Sequence, residues 1–218
     1  MIKRNTENLL NRLPAGIQIV AATKARNPEV IKEAIKAGIK IIGENYVQEA
    51  EAKYNVLGRV VQWHFIGHLQ KNKVKRAVEI FDMIQTIDSF EIAQAIDKAC
   101  SLKKKVMQVL IEVNSAREKE KFGLFPQDVC SFIEEARQLK NIKINGLMTM
   151  GPFLKDASQL RPYFKEARRL FERVKSLNLP GVQMCYLSMG MSDSYQVAVE
   201  EGANLIRIGT AIFGRRKT

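Results

Sequence analysis

The chain has 218 residues, 46% of them apolar and 27% charged, a balance that fits one folded domain with a full core and excludes a disordered or fibrous chain. Its net charge is +12, from 35 basic and 23 acidic residues. The basic residues are spread out, clustering only at Lys103-Lys104-Lys105 and Arg215-Arg216-Lys217, without an aromatic-rich RNA motif or zinc finger, which argues against nucleic-acid binding.

No apolar run approaches the roughly 20 residues of a membrane helix. The opening residues Met1–Pro14 show no apolar secretory core or small-residue cleavage site. Cys100, Cys130 and Cys185 are odd in number and far apart. Neither structural disulfides nor a cysteine metal site is expected, and a reducing cytoplasm fits.

Short β-branched runs alternate with longer amphipathic ones. The first half predicts strands at Ile17–Ala22, Lys40–Ile42, Gln62–Ile66 and Met83–Thr86, interleaved with helices at Pro28–Ala37, Asn45–Tyr54, Asn72–Ile80 and Phe90–Ser101. The second half predicts strands at Val106–Val113, Ile144–Met148, Gln183–Leu187 and Leu205–Ile208, with helices at Pro126–Leu139, Leu160–Leu177 and Ser192–Glu201. Pro28 and Pro126 mark first turns, and Ser89 and Ser192 are N-cap candidates. Eight strands with helices between them predict an α/β fold, a single-domain (β/α)8 TIM barrel over residues 1–218. An open doubly wound sheet is the alternative, although no GxGxxG turn follows an early strand.

In a parallel barrel the C-terminal strand ends share one face, where ligands bind. Lys24 lies at such an end, after Ile-Gln-Ile-Val-Ala-Ala-Thr. Apolar walls and neighbouring cations push a lysine towards the neutral amine that attacks carbonyls; the plain alternative is a solvated lysine. Leu187-Ser188-Met189-Gly190-Met191-Ser192 and Arg207-Ile208-Gly209-Thr210 follow the seventh strand and span the end of the eighth. Their small and hydroxyl residues suit a phosphate, or are ordinary turns. Arg207, inside an apolar strand, either pairs with a carboxylate such as Glu112 or faces a ligand heteroatom. A strand-end lysine, a phosphate cradle and an arginine between them describe a pyridoxal phosphate site.

These segments resemble the pyridoxal phosphate homeostasis protein family, small barrels similar in fold to the alanine racemase N-terminal domain. The resemblance runs from about Ile17 to Arg215. It rests on Ala-Ala-Thr-Lys24, Ile42 to Glu49, Trp63 to Lys73, Lys121-Phe122-Gly123, Gly146 to Met150, Leu187 to Ser192 and Arg207 to Gly214. It implies that Lys24 forms a Schiff base with the cofactor, and that Ser188, Ser192, Gly209 and Thr210 hold its phosphate. Arg207 would face the pyridine nitrogen and Asn45 would line the pocket. It further implies vitamin B6 homeostasis without substrate turnover, no catalytic residues, and exchange with pyridoxal phosphate-dependent apoenzymes or B6-pathway enzymes, as a monomer or weak dimer. Two features depart from the family: Ser194 stands where an acidic residue is usual, and the segment before Lys24 looks short for a first helix.

The main rival is an amino-acid racemase or decarboxylase on the same fold, whose larger members carry a second domain not expected in this chain. A class I aldolase usually places its lysine on a later strand. His64 and His68 have helical ligand spacing, but Gly67 intervenes and no third ligand is evident, so no metal is expected. Glu44 and Glu49 either approach the pocket or support a helix N-terminus.

Overall fold

The computed structural model describes residues 1–215; Arg216 and Lys217 of the second basic cluster lie outside them. Eight parallel strands close into a barrel in sequence order. They are β1 (Gln18–Ala22), β2 (Ile41–Glu44), β3 (Gln62–Phe65), β4 (Met83–Ile87), β5 (Met107–Val113), β6 (Ile142–Thr149), β7 (Val182–Ser188) and β8 (Leu205–Ile208). The barrel shuts where β8 pairs with β1, Val20 opposite Arg207 and Ala21 opposite Ile208. Between the strands run α2 (Pro28–Lys36), α3 (Val47–Leu57), α4 (Val74–Ile80), α5 (Phe90–Leu102), α6 (Val129–Ala136), α7 (Arg161–Ser176) and α8 (Tyr195–Glu200). The helix α1 (Ile2–Arg12) precedes the barrel and the short α9 (Thr210–Phe213) follows β8.

Apart from β7, where Gln183 and Cys185 are exposed, the strands read as near-continuous apolar runs because both faces are largely buried. Outward residues such as Ile19, Ala21, Ile42, Trp63, Phe65 and Ile84 join the main core beneath the helices. Inward residues Val20, Ile41, Ile66, Met83, Leu110, Met148 and Leu205 form a second apolar cluster inside the barrel. Strand alternation places Gly43, His64, Gln85, Glu112, Ser188 and Arg207 on that same interior side, so polar groups are threaded through an apolar lumen.

Several boundaries move. Asn27 caps α2 by accepting from Val30 N at 3.0 Å, with Pro28 in the first turn, and Ser89 caps α5 through Ile92 N at 3.4 Å. Ser192 does not cap α8, which starts three residues later at Tyr195; its hydroxyl is engaged elsewhere. Residues Pro126–Asp128 form a 3-10 turn before α6. The segment before Lys24, short against the family's first helix, still holds the eleven-residue α1. Only Ile2, Thr6 and Leu9 of that helix are buried, a sparse stripe that a polar sequence conceals. Asn5 Nδ2 donates to Ile212 O at 3.1 Å, tying α1 to α9.

Candidate functional site

A cavity of about 290 Å³ opens at the C-terminal mouth of the barrel, near the lower end of the roughly 300–1,000 Å³ usual for small-molecule sites. It is lined by Lys24, Asn45, Ser192, Arg207, Gly209 and Thr210, together with Ala22, Arg26, Ile66, Met150, Met191 and Asp193. A larger cavity of about 880 Å³ lies at the opposite end, against Gln18, Lys40, Gln62, Asp82 and Gln108. It holds none of the expected site residues, and barrel chemistry sits at the C-terminal face. The smaller cavity is therefore the candidate.

Lys24 leaves β1 in a tight turn, half-buried, with its Nζ 5.7 Å from the centre of the Tyr46 ring. Ala25 follows with φ 57°, in the left-handed region that L side chains rarely adopt. Asn45 sits at the neighbouring strand end. Gly67 lets this loop approach: a Cβ there would lie 2.2 Å from Asn45 O.

Across the mouth, Ser192 Oγ accepts from Gly209 N at 3.1 Å and Ala211 N at 3.2 Å. Two backbone amides thus converge on one oxygen position, as they would on an oxygen of an anion. The preceding loop turns at Gly190, with φ 90°, where a Cβ would meet the Ala198 Cβ at 2.5 Å. Ser194, at the position of the usual acidic residue, accepts from Met191 N at 3.1 Å and so steadies the same loop.

Arg207 is buried and donates from Nη1 to Ser188 Oγ at 2.7 Å and from Nη2 to Thr149 O at 2.9 Å. Burial pushes its guanidinium down to about 10, against the pull of Glu112, which leaves it a cation at neutral pH. No ion pair joins Arg207 to Glu112 among the described residues; Glu112 acts on it only at longer range. Burial, and then Asp88, lift Glu112 to about 7, while Arg207 opposes them.

Ser188 is not brought to the cavity. It is fully buried, and its hydroxyl lies between Arg207 and Gln85 Oε1, the latter at 2.7 Å. Strand alternation turns this expected phosphate contact into the lumen beside Arg207. Gln85 Nε2 in turn meets His64 Nδ1 at 2.8 Å. Burial holds His64 down at about 3, so it is neutral. His68 stacks on Phe122, 3.6 Å between ring centres, and lies 3.3 Å from Asp88. Among the described residues no group of three or more His, Cys, Asp or Glu is placed to hold a metal, and no helix is long and apolar enough to cross a membrane. All three cysteines are free.

Lys53 is the residue the sequence did not single out. From α3 it reaches Glu44, Glu49 and the backbone beside Lys24. Its spacing of four from Glu49 was the available signal, but that spacing equally marks a solvated helix pair.

The family described as alanine racemase, N-terminal domain, matches residues 1–217. A "Pyridoxal phosphate homeostasis protein" of Aquifex aeolicus is 41% identical over 204 residues, covering 92% of this chain and 87% of that protein. The chain belongs to the pyridoxal phosphate homeostasis protein family. Solved structures of PipY from Synechococcus elongatus PCC7942, a member of similar size, agree. The form without PLP superposes with a TM-score of 0.93 at 34% identity, over 98% of this chain and 100% of that one. The form with PLP bound gives 0.90 at 33% identity, with the same coverage. An alanine racemase of Clostridium difficile shares the fold alone: its TM-score is 0.82 at 17% identity, over 100% of this chain and 56% of that one.

Proposed function

We propose that this chain binds pyridoxal phosphate at the C-terminal mouth, held covalently by Lys24, and serves cytoplasmic vitamin B6 homeostasis without turning over a substrate. One observation carries the reading: a single cavity is lined by the Lys24 amine, the buried Arg207, and the hydroxyls of Thr210 and of Ser192, on which the Gly209 and Ala211 amides converge. That donor set fits the cofactor's aldehyde, phosphate and ring nitrogen. Relatives are named for pyridoxal phosphate homeostasis, and PipY is described with PLP bound.

Pyridoxal phosphate supplies an aldehyde for a lysine amine and an electron-withdrawing ring. Lys24 provides the nucleophile. Ser192, Gly209 and Thr210 bind the phosphate, Asn45 borders the ring, and Arg207 donates towards the ring nitrogen. An arginine is a poor proton donor, so it leaves the ring short of its strongest electron-sink form. Ser188 acts one step back, by orienting Arg207. Pyridoxal phosphate-dependent apoenzymes or B6-pathway enzymes are the partners this reading assigns.

A visible absorption spectrum taken before and after borohydride tests the assignment. A yellow protein, with the reduced adduct mapped to Lys24, supports it; an adduct mainly on another lysine overturns it. A racemase-like reading rests on Asp193, the carboxylate that lines the same cavity.

A further inference from the structure

We propose that Lys53 is the positioning residue of Lys24, through a buried cluster that clamps the peptide groups on both sides of it. The inference rests on the assignment of Lys24 above.

Lys53 is 5% exposed and its ammonium makes three short contacts: Thr23 O at 2.6 Å, Glu44 Oε1 at 2.6 Å and Glu49 Oε1 at 2.7 Å. Three donors meet three acceptors. The same two carboxylates reach back to the Lys24 turn. Glu44 Oε1 also accepts from Thr23 Oγ1 at 2.5 Å, and Glu49 Oε1 accepts from Ala25 N at 2.5 Å. The carbonyl preceding Lys24 and the amide following it are thus tied to one cation on α3.

Stability alone does not account for this arrangement. Removing a lysine and a carboxylate from water costs more than their attraction readily returns, and an apolar replacement commonly serves as well. Glu44 illustrates the cost: its second oxygen is buried without a hydrogen-bond partner, and burial raises its pKa above the usual carboxylate range. What the cluster does hold is the left-handed Ala25, at φ 57°, a conformation that persists only where the surroundings over-determine it. Releasing the turn would let the Lys24 side chain sweep away from the cavity.

The amine condenses with an aldehyde when Nζ bonds to the carbonyl carbon and the carbonyl oxygen leaves as water with both amine protons. A fixed turn places Nζ for that step in advance, which is where misplacement by about an ångström costs roughly 100-fold. Binding that involves no aldehyde has no such requirement.

The experiment compares pyridoxal phosphate with pyridoxine phosphate, which has a hydroxymethyl group in place of the aldehyde. In Lys53→Met, affinity for pyridoxine phosphate should stay within about twofold, while covalent capture at Lys24, followed by absorbance and borohydride trapping, slows about 10- to 100-fold. Lys53→Arg should recover part of the rate. Should Lys53→Met fail to fold, Glu49→Ala decides, because it removes the acceptor for Ala25 N at a half-buried position. Unchanged capture in a folded variant, or equal losses for both ligands, overturns the proposal. Wild-type protein that gives no adduct at Lys24 overturns the function reading along with it, and is recognised without any variant.

Discussion

Arg207 Nη1 donates to Ser188 Oγ at 2.7 Å, with both residues shut inside the barrel. The serine hydroxyl then donates to Gln85 Oε1, which turns the Gln85 amide towards His64 Nδ1. A cation at the cavity wall is thereby held by a polar chain that crosses the lumen. Ser188→Ala leaves one guanidinium donor and one amide oxygen buried without partners, costing about 1–3 kcal/mol. Urea denaturation should show that loss, and the ratio of pyridoxal phosphate to pyridoxal affinity should not change. A selective loss of the phosphate-bearing ligand would put Ser188 back among the phosphate contacts.

Thr210 lines the cavity beside the amides that converge on Ser192. Thr210→Ala should weaken pyridoxal phosphate by about 1.5–3 kcal/mol, tenfold or more, as expected for one donor to a charged acceptor. Affinity for pyridoxal, which lacks the phosphate, should barely move. Spectroscopic titration of both ligands measures the difference, and equal losses would detach this loop from the phosphate.

Glu112 titrates near 7 in the folded chain, held up chiefly by burial and then by Asp88, against about 4.3 when unfolded. Between those values the native state keeps a proton that the unfolded state has released. Its contribution is fully present below about pH 4.3 and is lost as pH rises through 7, on the order of 3 kcal/mol. His64, pushed down to about 3, works oppositely: stability falls as pH drops below about 6.5. Glu112→Gln should therefore gain on wild type as the pH rises from about 5 to about 8. Paired urea midpoints across that range check it, and a constant difference would contradict the placement of Glu112.

Apart from Lys24, the titratable groups lining the cavity are Arg26, Asp193 and Arg207 among the described residues. Racemisation needs a proton carrier on each face of the substrate α-carbon, and the arginines serve poorly. Incubation with L-amino acids in deuterated water should give no sustained α-deuterium incorporation, inversion or carbon dioxide release. Turnover that vanished in both Lys24→Ala and Asp193→Asn would favour the racemase-like reading.

The strands were legible because all but β7 are apolar runs largely buried on both faces, and this signal survives without knowledge of the partners. Lys24 was legible for a related reason, since a lysine closing such a run can only emerge at a barrel end. Helix α1 was not, because its buried stripe of Ile2, Thr6 and Leu9, though helically spaced, holds only two apolar residues in a mostly polar segment. The setting of Ser188 was harder to read, because its motif suggested a loop, whereas it is the last residue of β7 and obeys strand alternation. The Lys53 cluster was invisible because its parts come from β2, α3 and the Lys24 turn, and nothing local distinguishes a buried lysine–glutamate pair from a wet one.

Pairing of β1 with β8 makes the candidate site a clasp across the seam where the two ends of the barrel meet. Lys24 follows the first strand while Gly209 and Thr210 follow the eighth, so a barrel without β8 in place has the hook without the eye. Capture of ligand then discriminates closed barrels from open ones. A ligand bridging the seam at about 100 times its dissociation constant would add about 2.7 kcal/mol against reopening. The pool of free cofactor would in this way tune how firmly the seam stays closed.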